Sequence, residues 1–227
     1  MKHFLRRTGL ALLLTAACLM AFPGGSVAED LPGKGKTINP GTATWTTGFF
    51  LEALYARACE ELGYEVKEAK KLGAPIFYRN LSYGDLDYWA NGWFPLHAEF
   101  LPKNWEEDLV MAGTVVRQGA VQGYLVSKKH VEKYDIKSLA DFKREEVKEA
   151  FDSNNDGKAD MVACPPGWGC EKTIKFHMDA YDLWDHINLI KAGYSAGMAD
   201  ALARFNNGEP IFFYTWTPNW TVYKLKP

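Results

Sequence analysis

Hydrophobic and polar positions follow one another along the chain in a pattern that predicts short strands and amphipathic helices in turn. Apolar residues at helical spacing predict a helix over residues 45–62, and Gly63 directly after them predicts its end. Short apolar runs predict strands over residues 36–39, 64–67, 86–91, 161–163 and 211–214. Strands that alternate with helices predict an α/β fold, in which ligands collect at the carboxyl ends of the strands.

Apolar faces predict further helices and their packing. Two faces lie in the second half of the chain: Ile174, Met178 and Tyr181, then Tyr194, Met198, Leu202 and Phe205. The charged stretch over residues 131–151 is predicted to be helical in parts. The first helix is predicted to bury one face: Leu51, Leu54, Tyr55, Ala58, Cys59 and Leu62.

The first 28 residues have the pattern of a cleavable secretory signal. A positively charged start is followed by an apolar run over residues 9–22 and by small residues at 26–28. The apolar run is too short to span a bilayer comfortably. The sequence therefore predicts export to the periplasm and a mature chain that begins at Glu29.

Composition narrows the class of protein. Of the 227 residues, 47% are hydrophobic and 24% are charged, which is typical of a globular protein with a core. The net charge of −2 argues against nucleic acid as a partner. The sequence contains no nucleophile elbow, no phosphate-binding glycine loop and no His-Glu-x-x-His motif, so neither an enzyme nor a cofactor is favoured.

Export changes the interpretation of the three cysteines that the mature chain retains. Cys164 and Cys170 enclose the sequence Pro-Pro-Gly-Trp-Gly, whose prolines and glycines bend the chain, and an oxidising compartment favours a disulfide between them. Such a disulfide would hold Trp168 at the tip of a small loop. Zinc is the alternative, although the spacing suits it poorly. Cys59 is predicted to be a free, buried thiol.

Three of the eight tryptophans lie in frames of Gly, Pro or Thr, which predict loops: Trp93, Trp168 and Trp216. Converging indole rings form a cage for an organic cation, because each ring face carries a negative potential. The alternative for each ring is ordinary packing in the core. The other five are interpreted as packing or surface residues: Trp45, Trp89, Trp105, Trp184 and Trp220.

A carboxylate clamp is predicted beside this cage. His97 falls in the first turn of a helix if Pro95 begins one, and Gly169 and Cys170 precede another predicted helix. Unpaired N–H groups at the start of a helix suit an anion. The alternative for His97 is a surface histidine without a role. A cage beside such a clamp is a site for a zwitterion.

The acidic stretch over residues 152–160 matches the first nine positions of a calcium-binding loop. Ala163 stands where the bidentate glutamate of such a loop is required. The favoured interpretation is therefore a polar turn held by hydrogen bonds from aspartate and asparagine side chains, with calcium binding as the alternative. No metal site is predicted.

The frames Gly-Trp-Phe-Pro-Leu-His at 92–97, Cys-Pro-Pro-Gly-Trp-Gly-Cys at 164–170 and Tyr-Thr-Trp-Thr-Pro at 214–218 resemble the glycine betaine/proline betaine periplasmic binding proteins of osmoprotective ABC importers. The resemblance runs from about Asp30 onward. It implies a monomeric binding protein with a type II-like two-lobe fold, a membrane permease as partner, and a ligand in the cleft. By this resemblance the three tryptophans would box the quaternary ammonium, while the carboxylate would be held by His97, Gly169 and Cys170.

The resemblance also implies a division of the chain. We expect a signal peptide over residues 1–28, the N-terminal part of lobe 1 over 29–118 and lobe 2 over 119–227. In the family the chain returns after the third tryptophan to complete lobe 1. Without that segment we expect an incomplete lobe 1, exposed apolar helix faces and weak betaine binding. An exported enzyme that acts on a quaternary amine is the alternative function.

Overall fold

The computed structural model describes residues 30–225, so the predicted signal peptide lies outside the described residues. An N-terminal region over residues 30–108 holds two small parallel pairs of strands, β1 with β3 and β2 with β4. Its elements are β1 (Thr37–Ile38), β2 (Gly41–Thr42), α1 (Thr46–Glu61), β3 (Glu65–Val66), β4 (Lys70–Lys71), α2 (Ala74–Ser82) and the 3-10 helices Leu96–Phe100 and Trp105–Glu107.

The C-terminal region, residues 122–225, is built on one four-stranded sheet. Its elements are β5 (Gln122–Val126), α3 (Lys128–Tyr134), a 3-10 helix (Leu139–Lys143), α4 (Glu145–Phe151), β6 (Ala159–Val162), α5 (Cys170–Ala180), β7 (Ile187–Ile190), α6 (Tyr194–Asn206), β8 (Phe212–Trp216) and α7 (Trp220–Lys224). The strand order is β5-β8-β6-β7, with β6, β7 and β8 parallel and β5 antiparallel to β8. The predicted α/β alternation is confirmed here.

The larger core surrounds the two central strands. Every residue of β6 and β8 is buried, as expected of strands that are covered on both faces. Phe212 of β8 stacks on Phe142, with ring centroids 4.3 Å apart. Met178 of α5 and Met198 of α6 are each at most 2% exposed. The central strands therefore fix the position of whatever follows their carboxyl ends.

A smaller core fills the N-terminal region. Phe77 and Tyr78 of α2 are buried, and Trp89 stacks on Tyr78 with ring centroids 5.8 Å apart. Gly41 lies against this cluster so closely that a Cβ atom there would be 2.0 Å from the Phe77 ring. A glycine is therefore required at the point where β2 crosses α2.

Two predictions about the N-terminal region are wrong. Residues 86–91 form no strand, because their backbone makes only an isolated bridge from Tyr88 to Pro40 and Trp89 turns into the aromatic core. The predicted buried face of α1 is largely open. Leu54 and Leu62 are 53% and 48% exposed, because no element within residues 30–225 covers them. Cys59 is free, as predicted, but only partly buried.

Other elements agree with the sequence or were missed by it. Helix α1 and the helices that carry Met178 and Met198 lie where they were predicted. A helix end at Ser82 agrees with the sequence, but the extent of α2 and the strands β2, β4, β5 and β7 were not predicted. None of the helices within residues 30–225 is both long and apolar enough to cross a membrane.

The loop before β6 has the hydrogen bonds expected of a polar turn. The Asp152 carboxylate accepts the backbone N–H groups of Asn154, Asp156 and Gly157 at 2.8–3.2 Å. Asp160, at the other end of the loop, is 4% exposed and points into the protein. Its carboxylate accepts the Ser153 N–H at 2.9 Å and the Asn188 amide at 2.8 Å. The buried carboxylate of Asp160 in β6 therefore ties both the loop and β7 to this strand.

We predict that Asp160→Ala lowers the free energy of unfolding by about 1–3 kcal/mol, because it leaves buried donors without an acceptor. Urea denaturation measures this loss. The control is Asp185→Ala at an exposed position, which should change the stability by less than about 0.5 kcal/mol. Equal stability of the two variants would contradict the anchoring role of Asp160.

Candidate functional site

A pocket lies where the N-terminal and C-terminal regions meet. Its empty space is about 270 Å³, part of it open to solvent. All six residues that the sequence suggested line it, together with four that it did not: Trp93, His97, Trp168, Gly169, Cys170 and Trp216, then Trp45, Leu96, Gln122 and Tyr214. The structure thus brings the predicted cage and the predicted clamp together.

The strand ends of the C-terminal sheet deliver two of the tryptophans. Trp216 is the last residue of β8, and Trp168 lies in the loop between β6 and α5. The predicted disulfide between Cys164 and Cys170 is present and closes this loop around Trp168. Trp93 comes from the N-terminal region, in the loop before the 3-10 helix Leu96–Phe100.

The rings of the pocket form a corner. Trp168 and Trp216 have ring centroids 5.6 Å apart and planes at 79°. Trp45 meets Trp168 edge to face on another side, with centroids 5.1 Å apart. Nearly perpendicular rings present faces to a common point, which is the arrangement that attracts an organic cation.

Trp45 directly precedes α1, and the sequence pattern predicts packing for it and no place in the pocket. It is 6% exposed, so packing is part of its role. The sequence held one signal that would have identified it. Trp45 lies in a Thr-Trp-Thr frame, and so does Trp216.

Hydrogen bonds between the two regions hold the rings of the C-terminal region. The Trp168 indole N–H donates to Thr44 Oγ1 at 2.7 Å. The Trp216 indole N–H donates to Thr47 Oγ1 at 3.2 Å. Both threonines lie around the start of α1, so that segment sets the orientation of two rings from the opposite side of the pocket.

Asn91 holds the two remaining tryptophans of the pocket. Its Oδ1 atom accepts the indole N–H of Trp45 at 2.7 Å and that of Trp93 at 2.9 Å. Each of the four pocket indoles thus has a partner for its one polar group. Trp45, Trp168 and Trp216 are also packed in the larger core, at 4–8% exposure, so the rings are held in place on several sides.

His97 is one of the most buried side chains, with 2% of its surface exposed, so the interpretation as a surface histidine is wrong. It belongs to the 3-10 helix that follows Pro95. Burial lowers the pKa of His97 to about 4, so the imidazole is neutral at pH 7. Its Nδ1 atom lies 3.0 Å from the Tyr78 hydroxyl and 3.3 Å from the Trp93 backbone nitrogen.

The start of α5 faces this histidine. A Cβ atom on Gly169 would lie 3.0 Å from His97 Nε2 and 2.8 Å from Cδ2, so a glycine is needed for the close approach. Cys170 is the first residue of α5, where backbone N–H groups have no partner within the helix. These N–H groups and the helix dipole favour an anion beside His97 Nε2.

A metal site is not indicated by the geometry. No group of three or more His, Cys, Asp and Glu side chains within residues 30–225 is arranged to bind an ion. The pocket is lined instead by aromatic rings, the neutral imidazole of His97, Leu96, Gln122 and the backbone of Gly169 and Cys170.

The fold resembles solved periplasmic binding proteins. A glycine betaine and L-proline ABC transporter binding protein from Borrelia burgdorferi superposes with a TM-score of 0.68 at 20% identity, over 83% of this chain and 66% of that one. A lactococcal protein in its closed, glycine betaine-bound form gives 0.64 at 19% identity, over 83% of this chain and 68% of that one. Over the residues that superpose, the chain therefore has the α/β fold of these proteins.

The sequence comparison gives the family. The family model for the substrate-binding domain of ABC-type glycine betaine transport systems matches residues 36–226, and the chain belongs to this family. The glycine betaine/proline betaine-binding periplasmic protein of Escherichia coli K12 is 40% identical over 200 residues, which are 88% of this chain and 61% of that protein. Its Salmonella typhimurium counterpart is 37% identical over 216 residues, covering 95% and 65%. The chain thus spans less than two thirds of these relatives.

We predict that the burial of His97 makes stability depend on pH between about 6.5 and 4. The pKa of this group is about 4 in the folded protein and about 6.5 in the unfolded chain, so the unfolded chain binds more protons in this window. The stabilisation is complete above pH 6.5 and is lost as the pH falls towards 4. It amounts to at most about 3 kcal/mol.

Comparison with His97→Gln isolates this contribution, since every other titrating group is shared. Urea denaturation from pH 7 to 4 should show the wild type losing stability relative to the variant. Parallel curves would mean that His97 titrates at its ordinary pKa in the folded protein.

Proposed function

We propose that this chain is the periplasmic substrate-binding component of an ABC importer and that it captures glycine betaine or a related quaternary-ammonium zwitterion for osmoprotection. One observation carries the proposal. Three tryptophans, a neutral histidine and the start of a helix, all suggested by the sequence, line a single pocket. The pocket therefore offers one end to a cation and the other to a carboxylate.

The cation end consists of ring faces without a carboxylate among the lining residues. A trimethylammonium group cannot donate hydrogen bonds, so it is recognised through its charge and its methyl groups, and aromatic ring faces can contact both. The faces of Trp93, Trp168 and Trp216 attract such a cation by roughly 0.5–2 kcal/mol each when water is excluded. Several rings together supply the affinity that one ring lacks.

The carboxylate end consists of His97 and the backbone of Gly169 and Cys170. The backbone N–H groups at the start of α5 carry partial positive charge, and the imidazole adds a side-chain donor. None of these groups bears a full charge at pH 7, so the pocket as a whole suits a ligand without net charge. A zwitterion meets that requirement.

The two-lobe fold suggests how the ligand is held. Residues 29–118 are proposed as the N-terminal part of lobe 1 and residues 119–227 as lobe 2, with the ligand enclosed between them. The hydrogen bonds of Trp168 to Thr44 and of Trp216 to Thr47 support a ligand position between the two parts, because they join the parts across the pocket. A monomer exported by its signal peptide would then deliver the ligand to a membrane permease.

The relatives that the chain matches are binding proteins, and nothing in the comparisons supports an exported enzyme. The pocket also favours binding. Its titratable side chains are His97, which burial keeps neutral at pH 7, and Tyr214, whose pKa burial raises. We propose a ligand-binding role for the six residues and a catalytic role for none of them.

We predict that the purified protein distinguishes positive charge from shape. Glycine betaine and 3,3-dimethylbutanoate differ by one atom, a quaternary nitrogen against a quaternary carbon, and have nearly equal volume. Calorimetry should show roughly tenfold or more weaker binding of the carbon analogue, because cation–π attraction is lost at several rings. Equal affinities would mean that the pocket recognises only apolar shape.

Matched tryptophan variants locate the site. Trp168→Ala should lower the affinity for glycine betaine by roughly tenfold or more, whereas Trp184→Ala, at an exposed position outside the pocket, should leave it unchanged. Equal effects of the two substitutions would place the ligand elsewhere.

A further inference from the structure

The two nitrogen atoms of His97 have different surroundings. Nδ1 faces the N-terminal core, where the Tyr78 hydroxyl lies 3.0 Å away and the Trp93 backbone nitrogen 3.3 Å away. Nε2 faces the pocket, beside the Cα atom of Gly169. Because a neutral imidazole carries one proton, the position of that proton decides whether the pocket meets a donor or an acceptor.

The partners of Nδ1 determine the tautomer. The Trp93 N–H can only donate, so Nδ1 accepts from it and is unprotonated. The His97 N–H in turn donates to the Trp93 carbonyl at 2.7 Å, which closes the turn around these two residues. The Tyr78 hydroxyl makes the shorter contact with Nδ1. Burial raises the pKa of Tyr78, so this phenol keeps its proton and can donate it.

The core holds the Tyr78 hydroxyl in position. Tyr78 is 4% exposed and lies on α2, stacked on Trp89 and packed edge to face against Phe77. It also meets the His97 ring at 79°, with centroids 5.7 Å apart. Tyr78 is not among the residues that line the pocket. Its contact with a ligand is therefore indirect and passes through His97.

We propose that Tyr78 is a positioning residue that makes the pocket selective for a carboxylate, because its 3.0 Å hydrogen bond to His97 Nδ1 adds to the longer, 3.3 Å bond from the Trp93 N–H, and the two together keep the imidazole proton on Nε2. This inference rests on the proposed function. The opposite tautomer would turn the Nε2 lone pair towards the ligand carboxylate and repel it. An N–H at Nε2 makes a charge-assisted hydrogen bond with the carboxylate, and a ligand that lacks a carboxylate gains nothing from it.

The experiment compares two ligands on three proteins. Glycine betaine has the cation and the carboxylate, whereas tetramethylammonium has only the cation. The proteins are the wild type, Tyr78→Phe and, as control, Tyr83→Phe at a position that is 73% exposed. Tryptophan fluorescence titrations give both affinities, and thermal melts show that each protein is folded.

We expect Tyr78→Phe to weaken glycine betaine binding roughly three- to tenfold and to change tetramethylammonium binding by less than about twofold. The control should match the wild type for both ligands. If Tyr78→Phe weakens both ligands equally, or neither, the inference is wrong while the proposed function stands. A wild type that binds neither ligand refutes the proposed function and this inference with it.

Nitrogen-15 NMR of the imidazole reads the tautomer directly, and the wild-type spectrum does so without dependence on how well a variant folds. In the wild type at pH 7, we expect the proton of His97 on Nε2 alone. In Tyr78→Phe, we expect a measurable population of the Nδ1-protonated form. A wild-type imidazole protonated on Nδ1, or an unchanged tautomer in the variant, overturns the inference.

Discussion

The site depends on hydrogen bonds that fix its indole rings from outside the pocket. Trp168 and Trp216 come from the C-terminal region, but their N–H groups donate to Thr44 and Thr47 of the N-terminal region. A buried indole N–H without a partner costs free energy, so these bonds couple ring orientation to the meeting of the two regions. The cage is therefore a property of both regions together. Neither the sheet that carries Trp216 nor the helix that follows Thr44 forms it alone.

The pocket has no fully charged side chain among its lining residues. Burial keeps His97 neutral, and the start of α5 supplies dipoles in place of a cation. A positively charged side chain beside His97 and the start of α5 would bind a carboxylate more strongly, but it would repel the ammonium group of the proposed ligand. Ring faces and backbone donors avoid this conflict, which is why we propose a zwitterion for a pocket with few polar side chains.

The sequence predicted what depends on local pattern. The frame of Trp168 correctly predicted a loop, and a turn-rich spacing identified the disulfide beside it. The loop predicted at Trp216 is wrong, because this residue is the last one of the buried strand β8. Long-range packing decided the rest. No periodicity shows that Trp45 turns into the pocket, or that Tyr78 meets His97 across 19 residues of chain. The helical pattern of α1 was right, yet its predicted buried face is exposed, because burial depends on neighbouring elements that a local pattern does not specify.

A crystal structure of the protein grown with glycine betaine tests the central claim most directly. The account predicts the ligand nitrogen within about 6 Å of the ring centroids of Trp93, Trp168 and Trp216. It also predicts a carboxylate oxygen at about 2.7–3.2 Å from His97 Nε2 or from the backbone nitrogens at the start of α5. A ligand bound in the reverse orientation, or outside this pocket, would contradict the account.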